Sequence, residues 1–449
     1  PIAHLPWPRS LFTALAALAR YAVLLVWPWN LSIDYSFASI PEAASLFDPR
    51  ALFGALCALL VAGGIAAAWR KRPAVAFALL LLALPLLPVA NLLMPIGTIL
   101  AERLLYLPSA GLCVLFGLAF VTAQAAGRPE RRRLAVAGLV LVTAAGAVRS
   151  AWRYRDWADD RTIWAAAVRL SPDNVRARFN YGAASERAHD DAEAERAYRH
   201  AVEVWMHFAD AHYNLAGVLG RAGRWREAGV EYRAALQDQP GNVTYLVNAG
   251  HAAAQAGELE QARTLLERAV ELDRTSAPAW TDLGAVRLQA GDAAGALAAM
   301  NQAARLAPGD PEKLANVALA HEAAGRNEEA AEAWRAVVAG RPQDPIMRYR
   351  LGRALERAGH KEDAAGAYRE SIRLAPDSPV PLKALGLLLA SQGDADGARA
   401  ALQRARTLDP AGQVMDAAAI RVLESLEAKP GARPPPAGPS PPSDGPARN

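Results

Sequence analysis

PIMRYRLGRALERAGHKEDAAGAYRESIRLAPDS, residues 345–378, decides the fold. Gly352, Ala364, Tyr368 and Pro376 stand at its eighth, twentieth, twenty-fourth and thirty-second places. Stepping by 34 residues in both directions finds the same pattern again. The eighth place reads Gly182, Ala216, Gly250, Gly284, Ala318, Gly352 and Gly386. The twentieth reads Ala194, Ala228, Ala262, Ala296, Ala330, Ala364 and Ala398. The twenty-fourth is large throughout: Tyr198, Tyr232, Leu266, Met300, Trp334, Tyr368 and Leu402. Pro240, Pro308, Pro342, Pro376 and Pro410 close five units, while Met206 and Arg274 take that place in the other two.

Seven gapless units follow, 175–208, 209–242, 243–276, 277–310, 311–344, 345–378 and 379–412. A 34-residue period with small residues at places eight and twenty is the signature of the tetratricopeptide repeat, a pair of helices A and B. Such units stack into a superhelical solenoid, each burying its apolar face against its neighbours. The small residue at place eight lets helix A approach helix B. The large one at place twenty-four is expected to fill the hole between successive repeats, and the proline to stop helix B.

Helix A lines the concave groove of such an array. Its sixth place reads Asn180, Asn214, Asn248, Asp282, Asn316, Arg350 and Ala384. An asparagine amide both donates and accepts, so it can hold a peptide backbone independently of sequence. The groove residues are therefore Asn180, Asn214, Asn248 and Asn316, with Tyr213, His251 and Phe179 beside them, and the expected partner is an extended polypeptide or protein. The competing explanation is that asparagine is simply common at this place. Acids and histidines in the array are dispersed, so no catalytic group and no metal site is expected.

Residues 151–174 fit the second half of one more repeat, with Trp164, Ala167 and Pro172 at the right offsets. Residues 413–428 read as an amphipathic capping helix. Residues 429–449 are dominated by proline and small or polar residues and cannot bury a core, so disorder is expected.

The first 150 residues differ in kind. Runs 51–69, 74–93, 108–126 and 134–148 are long and apolar enough to approach the ~20 residues of helix that a bilayer needs. A weaker run, 11–29, carries Arg20 in its middle and reads as a span facing protein or as an interfacial helix. Segment 1–150 is thus expected to be a membrane segment of four to five helices, and the whole chain all-α. Arg70, Lys71 and Arg72, and then Arg128, Arg131, Arg132 and Arg133, form basic loops that the positive-inside rule places in the cytoplasm. Residues 30–50, 94–107 and the repeats then lie on the non-cytoplasmic side. With composition suggesting a high-GC bacterium, that side is the periplasm of an inner membrane.

A net charge of +4, dispersed along the chain, gives no argument for nucleic acid. Cys57 and Cys113 both sit in apolar runs and offer no disulfide framework. The chain opens on Pro1 without a signal peptide, which reads as part of a longer protein. Glu102 and Arg103 stand at a membrane boundary, where charge is costly. They read either as a local ion pair that pins a loop or as a site for an anionic, lipid-linked donor, with Arg103 on a phosphate. Asp34 and Glu42 read as solvated loop acids.

Three stretches resemble the transmembrane-and-tetratricopeptide-repeat (TMTC) proteins, a family of GT-C-type O-mannosyltransferases: WNLSIDYSFASIP (29–41), PVANLLMPIGTILAERLLYLPSAGLC (88–113) and RDWADDRTIWAAAVRLSPDNVRARFNYG (155–182). The resemblance covers the C-terminal portion of that family and nearly all of this chain except its tail. It implies transfer of mannose from polyprenyl-phosphate-mannose to Ser or Thr of exported polypeptides presented by the repeats, with no tightly bound cofactor. Glu102 and Arg103 match its AERLLYLPS run and would be donor-side contacts. The acidic base of such enzymes lies in a first outward loop several spans upstream, and no residue here corresponds to it. The alternative is a non-catalytic, membrane-anchored scaffold that organises a protein complex.

Overall fold

The computed structural model describes residues 5–35, 41–88, 100–125 and 129–428, so the tail beyond residue 428 lies outside the described residues. All regular structure among them is helical. The chain divides into two units, 1–240 and 241–449.

The first unit opens with five apolar helices: α1 (Trp7–Val26), α2 (Pro49–Ala68), α3 (Pro73–Ala83), α4 (Tyr106–Ala125) and α5 (Pro129–Tyr154). Four of these, α3 being the exception, are long and apolar enough to cross a membrane. Asp48 starts α2 by accepting from the Arg50 N–H at 2.9 Å, with Pro49 in the first turn, where its missing N–H costs nothing. The run expected over 74–93 is shorter as a described helix. α3 ends at Ala83 and passes into a 3-10 turn, Leu84–Leu86, because Pro85 cannot donate to the helical ladder; residues 89–93 lie outside the described residues. The weaker run becomes α1, which packs most closely of the five. At Gly54 an added Cβ would stand 1.9 Å from the Leu15 carbonyl oxygen, so the α1 and α2 backbones touch there.

Repeat helices follow in the same unit: α6 (Asp160–Leu170), α7 (Val175–Arg187), α8 (Asp191–Val204), α9 (Ala209–Arg221) and α10 (Trp225–Asp238). The second unit continues with α11 (Val243–Gln255), α12 (Leu259–Leu272), α13 (Ala277–Gln289), α14 (Ala293–Leu306), α15 (Pro311–Ala323), α16 (Asn327–Gly340), α17 (Pro345–Ala358), α18 (Lys361–Leu374), α19 (Pro379–Gln392) and α20 (Ala395–Leu408). A last helix, α21 (Ala417–Ala428), buries Ala419, Leu423 and Leu426 in the same core as Leu402 and Ala405. Asp409 fixes the turn before it by accepting from the N–H groups of Gln413, Val414 and Met415 at 2.7–2.9 Å.

The alanine at place twenty is fully buried in all seven repeats. The residue at place twenty-four packs on place eight of its own repeat and also reaches the next one, where Asn214 donates to the Tyr198 hydroxyl, Arg350 lies over Trp334, and Met300 packs with Val317 and Ala320. A Cβ on Gly352 would lie 2.6 Å from the Tyr368 ring, and one on Gly250 would lie 2.6 Å from Leu266 Cγ. The reason is directional: side chains of helix B cross to helix A within the hairpin, where only glycine or alanine leaves room. Proline does not stop helix B. α8 and α12, followed by Met206 and Arg274, end at the same place in the repeat as the proline-closed helices. Trp205 and Asp273 adopt the same extended backbone (φ −139° and −135°) as Gln239 (φ −129°). Hairpin stacking sets the end, and proline only suits it.

Candidate functional site

Sequence-singled residues gather at the joint where the apolar helices meet the first repeat. Glu102 heads the 3-10 turn Glu102–Leu105 ahead of α4. Its Oε1 accepts from the Ser32 N–H at 2.5 Å and from the Tyr35 hydroxyl at 2.6 Å. Burial, and then the Glu102 carboxylate, push the Tyr35 phenol well above its ordinary range, so it stays a donor. Glu102 therefore clamps the loop 30–35. It makes no pair with Arg103, which is exposed and has no ion-pair partner among the described residues. Backbone extended at Ala101 (φ −150°, ψ 130°) leads into the turn that sends the two side chains apart.

Asp34 is not simply solvated. Its Oδ2 accepts from Asn174 Nδ2 at 3.4 Å. Asn174, 1% exposed, uses its Oδ1 to cap α7 through the Ala177 N–H at 3.0 Å. One amide thus starts the repeat array and ties it to the apolar segment. Arg153 on α5 bonds Asp156 at 2.9 Å, and Arg169 on α6 reaches the other oxygen of Asp156 at 3.4 Å, which fixes the turn between these helices. Arg149 donates to the Trp29 carbonyl at 2.5 Å and lies over the Trp29 ring at 5.5 Å.

Beside these clamps is an open cavity of about 230 Å³ lined by Arg20, Asn30, Ser32, Tyr35, Arg50 and Ser171. Arg50 is held by Asp48 in two-pronged fashion, at 3.0 and 2.7 Å, and donates to the Pro41 carbonyl at 3.1 Å. The same guanidinium lowers the Asp48 carboxyl to about 2. Arg20 has no carboxylate within ion-pair distance among the described residues. Two guanidinium groups, three hydroxyls and an amide form a donor set suited to a phosphate.

Groove residues fall in both units. In the first, Asn180 donates to the Arg176 carbonyl of its own helix at 2.9 Å and Asn214 to the Tyr198 hydroxyl at 3.3 Å. Tyr213 stands edge-on to Tyr232, and Phe179 packs against Tyr198 and Phe208. In the second, Asn248 donates to the Thr244 carbonyl at 3.1 Å and Asn316 is half-buried. Half-buried Asp282 has its carboxyl raised by burial, an effect partly offset by His251 and Lys313. His251 itself is exposed. Arg350 lies over the Trp334 ring at 5.6 Å.

Sequence reasoning passed over Arg50, Arg149 and Asn174. Asn174 is hidden because a helix cap accounts for it completely. Arg20, a charge inside an apolar run, was the usable signal.

Fold and joint together define a membrane-segment protein that carries tetratricopeptide repeats. Residues 149–378, just over half of the chain, match the family described as the cilia and flagella-associated protein 70 C-terminal domain and belong to that repeat family. Residues 1–62 match the family protein O-mannosyl-transferase TMTC, DUF1736. The chain is similar to a set of proteins named protein O-mannosyl-transferase TMTC. It is 30% identical over 244 residues to protein O-mannosyl-transferase TMTC3 of Mus musculus, covering 54% of this chain and 26% of that protein. Against the Homo sapiens TMTC3 protein it is 25% identical over 336 residues, covering 63% and 36%. The chain thus spans roughly a quarter to a third of the length of these relatives. Among solved structures, the C-terminal part of a repeat protein from Cytophaga hutchinsonii aligns at 17% identity and TM-score 0.48, over 55% of this chain and 99% of that one.

Proposed function

We propose that this chain is the acceptor-presenting portion of a protein O-mannosyl-transferase that takes mannose from polyprenyl-phosphate-mannose. One observation carries the reading: the cavity holding Arg20 and Arg50 opens where Leu170 and Ser171 of the first repeat helix meet the loops of the apolar segment. A phosphate-binding set and the start of a polypeptide-binding array therefore share one place. Arg20 and Arg50 hold the donor phosphate, with Ser32 and Asn30 beside them, and Arg103 serves only the approach of the lipid along the surface. Glu102 shapes the site by holding Ser32 and Tyr35. The repeats and this cavity lie on the non-cytoplasmic side, with the basic loops at 70–72 and 128–133 in the cytoplasm. Proton abstraction from the acceptor hydroxyl falls to a carboxylate outside this chain: Asp34, Asp48 and Glu102 are each already engaged.

The competing reading is a membrane-anchored scaffold without catalysis, supported by that same engagement of Asp34, Asp48 and Glu102. The test is transfer from radiolabelled polyprenyl-phosphate-mannose to a Ser/Thr-rich polypeptide, in membranes containing the natural protein that carries this chain. Arg20→Ala is expected to raise the donor KM about tenfold, the loss of one charge-assisted contact. An unchanged KM removes the cavity from donor binding, and no transfer by the unaltered protein favours the scaffold.

A further inference from the structure

The turn after the first full repeat departs from its counterparts in a direction that its packing does not require. Residues 204–206 read Val-Trp-Met, where the next repeats carry Asp238, Gln239 and Pro240, and then Leu272, Asp273 and Arg274. Val204, Trp205 and Met206 are 43%, 38% and 71% exposed. Trp205 stacks on Phe208 at 5.4 Å, and Phe208 on Phe179 at 5.0 Å, so the exposed apolar tip rests on a stiff aromatic base.

Position identifies what this tip meets. Only a short turn, Arg155–Trp157 with Ala158 and Asp159, separates α5 from α6, so the first repeats stand at the membrane face where α5 ends. The equivalent turn one repeat earlier begins at Leu170, the counterpart of Val204. It already lies against the apolar segment: Leu170 and Ser171 line the cavity with Arg20 and Arg50, and Asn174 bonds Asp34. The two turns are linked, since His200 near the end of α8 bonds Asp173 at 3.2 Å. The end of α5 and the turn after it also carry exposed aromatics, Trp152, Tyr154 and Trp157, the residue types that collect at a bilayer interface.

We infer that residues 204–206 form an interfacial anchor that inserts Val204, Trp205 and Met206 into the lipid headgroup region of the membrane crossed by α5. The occupant of this apolar tip is the bilayer, not a protein, because the tip continues an edge that the apolar segment itself already meets. Trp and Met beside a basic, aromatic boundary match the chemistry of an interfacial insertion. The anchor steadies the first repeats against the membrane independently of what the groove binds, and the inference does not rest on the transferase reading.

The test uses the full chain with Cys57→Ser and Cys113→Ser, reconstituted in vesicles of phosphatidylcholine and phosphatidylglycerol. Single labelling sites are made by Met206→Cys, by Arg274→Cys at the same place two repeats on, and by Tyr106→Cys at the start of α4. Each carries an environment-sensitive fluorophore, quenched by phosphatidylcholine spin-labelled near its headgroup. Met206 is largely exposed, so its replacement leaves the core intact. The expected result is quenching at 206 comparable to 106 and at least about threefold above 274, as shallow insertion requires. Quenching at 206 no greater than at 274 overturns the inference.

Discussion

Helices α5 and α19 are both strings of Leu, Ala and Val, and they meet opposite fates. None of the membrane-length window of α5 is buried inside the protein. α19 buries Leu382, Leu385, Leu388, Leu389 and Ala390. Apolar content alone does not decide burial. α19 sits in a 34-residue register that supplies a partner: Gly386 receives Leu402 of α20, whose Cγ would lie 2.6 Å from an added Cβ. α5 has no such register and leaves its apolar surface uncovered by the rest of the described chain. Stability in the repeats is therefore written in paired small and large residues, and in the apolar segment in a few polar clamps at the helix ends.

The sharpest way to break this contrast is to remove a large partner in the repeats. Trp334 is 1% exposed, and its ring N–H donates to Glu322 at 2.6 Å. Trp334→Ala should cost about 4 kcal/mol through the cavity it opens, read as faster hydrogen exchange across α15–α17. Filling the small partner should cost less. Gly352→Val forces the Tyr368 ring aside and should destabilise the same region by about 2 kcal/mol. Unchanged exchange in either variant would mean that the register does not carry the core.

In the apolar segment the matching test is Glu102→Ala, which removes the shared acceptor of the Ser32 N–H and the Tyr35 hydroxyl and leaves them only the Ser32–Tyr35 and Tyr35–Asn30 bonds. A loss of about 2 kcal/mol is expected, and it should appear as protease cleavage within 30–35 while α2, α4 and α5 stay protected. Loss of the helices as well would show that the clamp holds the bundle, not just the loop.

A smaller effect is pH-dependent. His212 of α9 has Nδ1 2.7 Å from Glu231 Oε2 and Nε2 2.9 Å from the Met206 carbonyl, so both ring nitrogens face acceptors and both must carry a proton. Burial lowers its pKa, but Glu231, the Met206 carbonyl and Asp238 outweigh it, and the net shift is upward. Stability from this imidazolium is fully present below the ordinary value of about 6.5 and is lost as pH rises through the raised folded value. Exchange-derived stability of α9–α10 should fall with rising pH above that point, and His212→Gln should abolish the slope. The smallest expected change is a gain. Six repeats place glycine in a left-handed conformation at the turn from helix A to helix B, as at Gly223 and Gly359, where the first repeat has His189 at φ 59°. His189→Gly should stabilise the first repeat by about 1 kcal/mol, seen as slower exchange in α7 and α8.

How much was legible follows the same division. Every repeat helix is legible because one rule recurs seven times and errors average out. That Tyr368 and Leu266 also press on place eight of their own repeat was not, because spacing along a sequence does not say which helices a side chain crosses to. The left-handed turn was equally present in the sequence, as glycine at one fixed place, and its exception His189 concealed nothing about the fold. Around the joint, legibility drops. Glu102 was rightly marked as costly, but its partners Ser32 and Tyr35 lie about seventy residues away, and nothing local announces a contact of that span. Asn174 looks like an ordinary cap, and Asp34 like a solvated acid, until the two meet.

The most direct test of the account is whether the repeats present polypeptide to a membrane-held mannose donor. The measurement is mannose transfer from polyprenyl-phosphate-mannose to a Ser/Thr-rich polypeptide by the natural protein in membranes, unaltered and with Asn180→Ala, Asn214→Ala and Asn248→Ala combined. The account predicts transfer by the unaltered protein, an acceptor KM raised about tenfold in the triple variant, and an unchanged donor KM. Absence of transfer, or an acceptor KM that the three substitutions leave alone, would contradict it.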